Sequence, residues 1–281
     1  MQAAGEQLLR GLLPDRGGRR TRRVATDGAC NCARAAVATS VLAAAMTVAV
    51  LFGSSVDGAS AVGAAALAPA RAAEVAASVE PAVVDVVATL GDRGEVSFGT
   101  GIVLTSDGLV MTNDHVIDGA TDVRVTDVGN RISYGAVVVG YDRSDDVAVV
   151  HMLGASGLAT ARLASAPPRS PEPVVAIGNA RGRGGTPAAW PGAITARRLS
   201  VTIADGDRSE HLVGMIEADT PIVAGASGGP LVDAAGEVVG MDTAVSGSGR
   251  TAFAIPIAAA RQIVDEIVNA AQRPTRPTGR R

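Results

Sequence analysis

The sequence predicts an all-β body closed by one C-terminal helix, and three observations carry that prediction. Val- and Ile-rich runs of three to eight residues recur from Val83 to Ala254. Turn signals such as Ser106-Asp107-Gly108 and Val128-Gly129-Asn130 separate them, with no helical period between. After Pro256, apolar residues at Ile257, Ala260, Val264, Ile267, Val268 and Ala271 fall on one helical face. Short strands at this spacing argue a β-barrel or sandwich, and a 3.6-residue period opened by proline argues a helix.

In order, the first strands are expected at Val83–Ala88, Ser97–Leu104, Leu109–Thr112, Asp122–Thr126, Gly135–Val139 and Val147–Met152. Pro167-Pro168 and Pro171 then interrupt the chain and mark a junction. A second series follows at Val174–Ile177, Gly192–Leu199, Val213–Ala218, Gly229–Val232, Val238–Ala244 and Ala252–Ala254. The domain proper is expected over residues 80–272, divided at about 168 and 169, with its helix at 257–271. Residues 273–281 carry arginine and proline and are expected to be a disordered tail. No internal repeat of 20–50 residues is recognisable, which excludes a solenoid.

Composition adds limits. The 281 residues are 47% hydrophobic but 2% aromatic, so the core must be built from aliphatic side chains. All 25 basic residues are arginine. Residues 1–56 hold seven of them against Glu6, Asp15 and Asp27, a net +4, whereas the remainder carries −7. An acidic body offers no general attraction to nucleic acid.

Ala35–Val56 contains no charged residue. As a helix its 22 residues reach roughly 33 Å, enough to span a bilayer. Arg10, Arg16, Arg19, Arg20, Arg22, Arg23 and Arg34 precede it, and the next arginine is Arg71. The positive-inside rule then puts residues 1–34 in the cytoplasm as a basic tail and the β body outside. The expectation is a single-pass membrane anchor at 35–56 and a linker at 57–79 that ends in a short helix at Arg71–Val79. The rival is a cleaved signal peptide with processing near Ala70-Arg71-Ala72, which makes the protein secreted. Both cysteines, Cys30 and Cys32, precede the apolar run, so the expected exported part has no disulfide. Three scattered histidines and no exported cysteine make no zinc site, and no metal or cofactor is expected.

The chemistry centres on Gly225-Ala226-Ser227-Gly228-Gly229-Pro230. A serine between glycines, closed by proline, sits in a tight turn with its hydroxyl projecting. The backbone N–H groups of such a turn can converge on a developing oxyanion. A serine nucleophile needs a base, and His115, His151 and His211 are the candidates. His115 follows an apolar strand and is placed at a strand end, His151 reads as a strand residue, and His211 neighbours an acidic loop. Asp142, Asp145, Asp146 and Asp114 are all candidates to orient the base. Alternation along a strand lets only one of Asp145 and Asp146 face it, and spacing alone does not choose.

Thr112-Asn113-Asp114-His115-Val116, Asp146-Val147-Ala148-Val149 and Gly225-Ala226-Ser227-Gly228-Gly229-Pro230 come in the order His, Asp, Ser. Together the three segments resemble the HtrA/Deg-type serine proteases of the trypsin fold. Gly99-Thr100-Gly101-Ile102-Val103, Ala176-Ile177-Gly178-Asn179, Gly192-Ala193-Ile194-Thr195-Ala196 and Phe253-Ala254-Ile255-Pro256 are similar to that family as well. The resemblance runs from about Val83 to Val268. It implies two perpendicular six-stranded antiparallel β-barrels with the active site in the cleft between them. It selects Asp146, because the family's aspartate directly precedes an apolar-Ala-apolar run. It also implies a triad of Ser227, His115 and Asp146, an oxyanion hole from the N–H groups of Gly225 and Ser227, polypeptide substrates, a quality-control role, and homo-oligomers assembled through N-terminal segments.

Two departures stand out. Ala226 occupies a position where the family usually has Asn, which bears on whether the oxyanion hole forms. The residues after the last helix are too few for the PDZ domain that usually follows. Arg181–Pro191, with the only tryptophan, Trp190, reads either as an activation-type loop or as a plain surface loop. Pro221 and Ala244 are expected to border the pocket for the residue on the acyl side of the cut. With no acid in that region except Asp219, a small or aliphatic residue is expected there. The reading is a membrane-anchored extracytoplasmic serine endopeptidase; the alternative is a weakly active or inactive relative that binds peptides or a partner at the envelope.

Overall fold

The computed structural model describes residues 47–49, 66–91, 95–205, 208–246 and 249–273. The basic tail, Cys30, Cys32, most of the expected anchor and the C-terminal residues 274–281 lie outside these. Helix α1 (Pro69–Val79) turns Ala72, Val75, Ala76 and Val79 inward. The i, i+3, i+4, i+7 spacing of those four is what makes one apolar face.

Six strands follow: β2 (Val83–Leu90), β3 (Glu95–Val103), β4 (Leu109–Thr112), β5 (Ala120–Asp127), β6 (Ser133–Asp142) and β7 (Val147–Met152). They close into an antiparallel barrel in the order β2-β3-β4-β7-β6-β5. Val84, Val86, Val110, Val125, Ala148 and Val150 fill it. A four-residue helix, α2 (Asp114–Ile117), interrupts the chain between β4 and β5.

The second half contains β8 (Glu172–Gly178), β9 (Ala188–Asp205), β10 (Arg208–Ala218), β11 (Pro230–Asp233), β12 (Val238–Val245) and β13 (Ala252–Pro256). With β1 (Thr47–Ala49) they form a seven-stranded sheet in the order β1-β9-β10-β13-β12-β11-β8. The long β9 pairs with β8 through Ala188–Ile194 and with β10 beyond that, so the pairings return to β8. The expected second six-stranded barrel is therefore met as a sheet with one strand added at the edge of β9. Helix α3 (Ile257–Ala271) closes the fold, burying Ile257, Ala260 and Val264 in the core cluster that also takes side chains from β3, β4 and β7.

Of the segment Ala35–Val56, expected to span a membrane, three residues are described. Thr47–Ala49 are a strand, with Val48 opposite Ile203 of β9. An Ala/Val-rich apolar run satisfies a spanning helix and a sheet strand alike, and here the free edge of β9 supplies hydrogen-bonding partners. Among the described residues, no helix is long and apolar enough to cross a membrane.

Candidate active site

The first barrel supplies His115 and Asp146. Asn113, in extended backbone just before α2, turns the chain so that His115 enters the helix at its second position. Asp146 lies in the turn before β7, with φ of 53°. That left-handed conformation is costly for a residue with a Cβ, and two contacts hold it. The Asn113 side-chain amide donates to the Asp146 carbonyl at 2.9 Å, and the His115 N–H donates to Asp146 Oδ1 at 3.0 Å. The carboxylate then faces His115 Nδ1 at 3.0 and 2.9 Å through its two oxygens.

Asp146 is 1% exposed. Its remaining hydrogen-bonding capacity is taken by Thr243 of β12, whose hydroxyl donates to Oδ2. Burial pulls the His115 pKa down, but the charge and hydrogen bond of Asp146, with further contributions from Glu210 and Asp114, hold it above its ordinary 6.5. The imidazolium is thus stabilised where a base must briefly carry charge.

The second sheet supplies Ser227, in the turn between β10 and β11. Ala226 N–H donates to Val223, Gly229 N–H to Ala226, and Gly228 N–H to Asp242 across to β12. Thr100 of β3 clasps the turn from the first barrel. Its N–H donates to the Ser227 carbonyl at 2.8 Å, and its hydroxyl donates to the Gly225 carbonyl at 2.7 Å. The Ser227 hydroxyl donates to the Thr243 carbonyl at 3.2 Å. Thr243 therefore touches Ser227 and Asp146 at once, and among the described residues the serine hydroxyl makes no hydrogen bond to His115.

The orientation of the Ala224–Gly225 peptide decides what the turn offers a ligand. Arg181 N–H donates to the Ala224 carbonyl at 2.7 Å. In a trans peptide the N–H points opposite to the carbonyl, so Gly225 N–H is turned away from Arg181. Neither Gly225 N–H nor Ser227 N–H donates to an acceptor among the described residues. Gly225 has φ of 94°, and a Cβ there would lie 2.2 Å from the Asn179 carbonyl oxygen. Only glycine permits this approach. Ala226 is fully buried, and a Cβ placed on Gly178 would meet its own at 3.2 Å.

The other candidates lie elsewhere. His151 is buried in β7 without a partner for either ring nitrogen, and burial lowers its pKa, with Asp107 opposing. His211 meets Thr202 at 3.2 Å on the exposed edge of β10. Asp142 accepts from Ser144 and Asp145 and so caps the turn before Asp146. Burial, with Asp142 adding, raises Asp145. Arg143 Nε lies 3.7 Å from Asp114. Asp219 accepts from the Ala193 N–H, which ties β9 to the strand end before the serine turn.

Pro221 is exposed, whereas Ala244 is buried in the core. Sequence reasoning did not single out Thr243, Thr100 or Asn113. Two are threonines in otherwise apolar or glycine-rich strands, and that polar interruption is the signal they carry. Among the described residues, no group of three or more His, Cys, Asp and Glu side chains is arranged to hold a metal.

The family model for the trypsin-like peptidase domain matches residues 99–241. The serine protease PepD of Mycobacterium tuberculosis is 34% identical over 220 residues, which span 70% of this chain and 46% of PepD. A DegP-like periplasmic serine endoprotease of Bartonella henselae is 35% identical over 179 residues, spanning 62% of this chain and 34% of that one. The solved structure of the HtrA-type protease AlgW with a tripeptide superposes with a TM-score of 0.61 at 29% identity, covering 72% of this chain and 64% of AlgW. The chain thus spans half or less of the length of these two curated relatives.

Proposed function

We propose, since this chain belongs to the trypsin-like peptidase family, that it is an extracytoplasmic serine endopeptidase for unfolded or exposed polypeptide segments. One observation carries the reading: Asp146 grips His115 Nδ1 at 2.9 Å and is joined through Thr243 to Ser227. In this mechanism Ser227 Oγ swings from the Thr243 carbonyl to His115 Nε2 as substrate enters. Oγ attacks the peptide carbonyl carbon, and its proton passes to His115. Asp146 fixes the ring with Nδ1–H toward itself and stabilises the imidazolium.

The oxyanion is met by Gly225 N–H and Ser227 N–H, donors of a kind whose loss typically costs about 10²–10³ in rate. His115 then protonates the leaving amine, the acyl-enzyme forms on Oγ, and water, deprotonated by the same imidazole, releases the acid and restores Ser227. Labelling of the protein by a fluorophosphonate, with Ser227→Ala as control, tests this. Labelling and casein cleavage that both vanish in the variant support it. A folded protein that never labels overturns it.

A second reading is a protease-fold protein that binds peptides and cleaves weakly or not at all. The Ser227–Thr243 hydrogen bond favours it, because the hydroxyl is not delivered to His115 in this state. Peptide binding without labelling selects it.

The extracytoplasmic setting draws support from the periplasmic relative. For attachment, we take Ala35–Val56 as a membrane anchor, supported by its uncharged length and the seven arginines before it. The pairing of Thr47–Ala49 with β9 is the observation against it. Retention in the membrane fraction after alkaline wash supports the anchor; a soluble product with a mature N-terminus near Ala73 supports secretion. Homo-oligomerisation is proposed from the family alone, and sedimentation of the full chain tests it.

A further inference from the structure

Asp85 is a buried acid that the mechanism does not use. It stands in β2, 4% exposed, opposite Thr100 in the register with β3 and opposite Thr126 in the register with β5. Paired residues of antiparallel strands project to the same side, so Asp85 shares a face with Thr100 and, one pair along, Phe98. Both neighbours meet the stretch 179–185 that follows β8. Asn179 N–H donates to Thr100 Oγ1 at 2.8 Å, and a Cβ on Gly182 would run into the Phe98 ring. Asp85 meets the end of the same stretch. Gly184 lies so close that a Cβ there would be 3.3 Å from its Oδ2, and the Gly185 N–H lies near enough to favour the ionised carboxylate. Gly184 N–H in turn donates to the Asn179 side chain at 2.8 Å, which closes the stretch into a loop. From that loop Arg181 N–H holds the Ala224 carbonyl and so turns Gly225 N–H.

We propose that Asp85 is a positioning residue for the oxyanion hole: from β2 its carboxylate holds the Gly184–Gly185 end of the loop whose Arg181 N–H orients the Ala224–Gly225 peptide. The inference rests on the reading of Ser227 as a peptidase nucleophile. The second carboxylate oxygen, Oδ1, has no partner and is buried. A valine or threonine would fill the position at less cost, so the carboxyl is retained against a desolvation penalty. Burial pushes Asp85 up to about 6, with the Gly185 N–H opposing. On the flanking strands the charged residues that alternate onto its face are Arg124 and Asp122 of β5, 3.6 Å from one another, with Glu95 of β3 and Asp127 of β5 on the other face, and the loop adds Arg181 and Arg183. None forms an ion pair with Asp85 among the described residues. The Gly185 N–H is thus the contact that favours the ionised form, and protonation in mildly acidic solution weakens the hold.

The test compares Asp85→Ala and Asp85→Asn in the full chain at pH 8. The alanine variant is expected to lose about tenfold or more in kcat, part of the 10²–10³ that outright donor loss costs, with KM within about twofold. The asparagine variant, which keeps a carbonyl oxygen of the same size to face the Gly184–Gly185 backbone, is expected to recover most of that loss. Hydrogen exchange over residues 179–187 reads the loop without catalysis: faster in Asp85→Ala, near wild type in Asp85→Asn. In the wild type it is expected to quicken, after correction for intrinsic exchange, as pH falls through about 6, and in Asp85→Asn to stay flat. Equal kcat for alanine and wild type, or an asparagine variant as impaired as alanine, overturns the proposal. A wild type that never reacts with fluorophosphonate overturns the peptidase reading instead, while loop exchange still decides whether Asp85 holds the loop.

Discussion

The carbonyl of Thr243 accepts the hydroxyl proton of Ser227 at 3.2 Å, and the Thr243 side chain donates to Asp146. One residue of β12 thus sets the resting position of the Ser227 hydroxyl and the orientation of the Asp146 carboxylate behind His115. Thr243→Val keeps the carbonyl and removes the hydroxyl. Its kcat/KM is expected to fall about 10- to 150-fold, the cost of one hydrogen bond to a charged group, roughly 1.5–3 kcal/mol. Fluorophosphonate labelling is expected to persist at a reduced rate, and steady-state kinetics with labelling time courses check both.

The His115 pKa is held above 6.5, and a base works only when neutral. Activity is therefore expected to rise with pH through a midpoint above 6.5 and to be lost as the ring is protonated below it. Asp146→Asn removes the charge that raises the ring's pKa. It is expected to move that midpoint down and to lower kcat by about 10⁴, as loss of the tautomer-holding acid does in triads of this type. A pH profile of kcat/KM for both proteins measures the shift.

Gly225→Ala places a Cβ 2.2 Å from the Asn179 carbonyl oxygen at a φ of 94°. The peptide must rotate or the loop must retreat, and either takes Gly225 N–H from the oxyanion position. A loss of at least about 10² in kcat is expected, with a stability cost of roughly 1–3 kcal/mol from the backbone alone. Thermal unfolding beside kinetics separates the two effects. By contrast, Ala226→Asn restores the family's usual residue at a buried site already filled. Overpacking of roughly 1–3 kcal/mol is expected, with no more than about a twofold gain in kcat.

Asp85 has a stability signature distinct from its effect on rate. Its carboxyl titrates near 6 when folded and near ~3.9 when unfolded, so the folded state binds the proton more tightly. Stability from this group is present at low pH and falls as pH rises from about 4 to 6, by at most roughly 3 kcal/mol. Asp85→Asn is expected to unfold at higher temperature than wild type at pH 7.5, with the advantage vanishing near pH 4. Melting curves at the two pH values check the sign.

The strands were legible because half-buried sheets announce themselves as short aliphatic runs, and β2, β4, β7 and β12 stand within two residues of their expected bounds at each end. The choice among Asp142, Asp145 and Asp146 was not legible from spacing. Strand alternation assumes extended backbone, whereas Asp146 sits in a turn at positive φ, where the side chain follows the turn. Thr243 and Thr100 escaped for a different reason. Their contacts reach across 97 and 125 residues of chain, and a pattern read locally holds no trace of what folding brings to a threonine hydroxyl. β1 failed because Thr47–Ala49 belong to an apolar run whose strand character depends on a distant open edge.

Thr100 has a bearing on what happens when the molecule is damaged. Its N–H and hydroxyl reach from the first barrel to the carbonyls of Ser227 and Gly225 in the second half. Heat or force that parts the halves breaks these two bonds and the Thr243–Asp146 hydrogen bond together, and takes Ser227 away from His115, before either half need unravel. On the proposed reading, a partly opened copy is thereby disarmed at the first step of its own failure, while both halves are still folded.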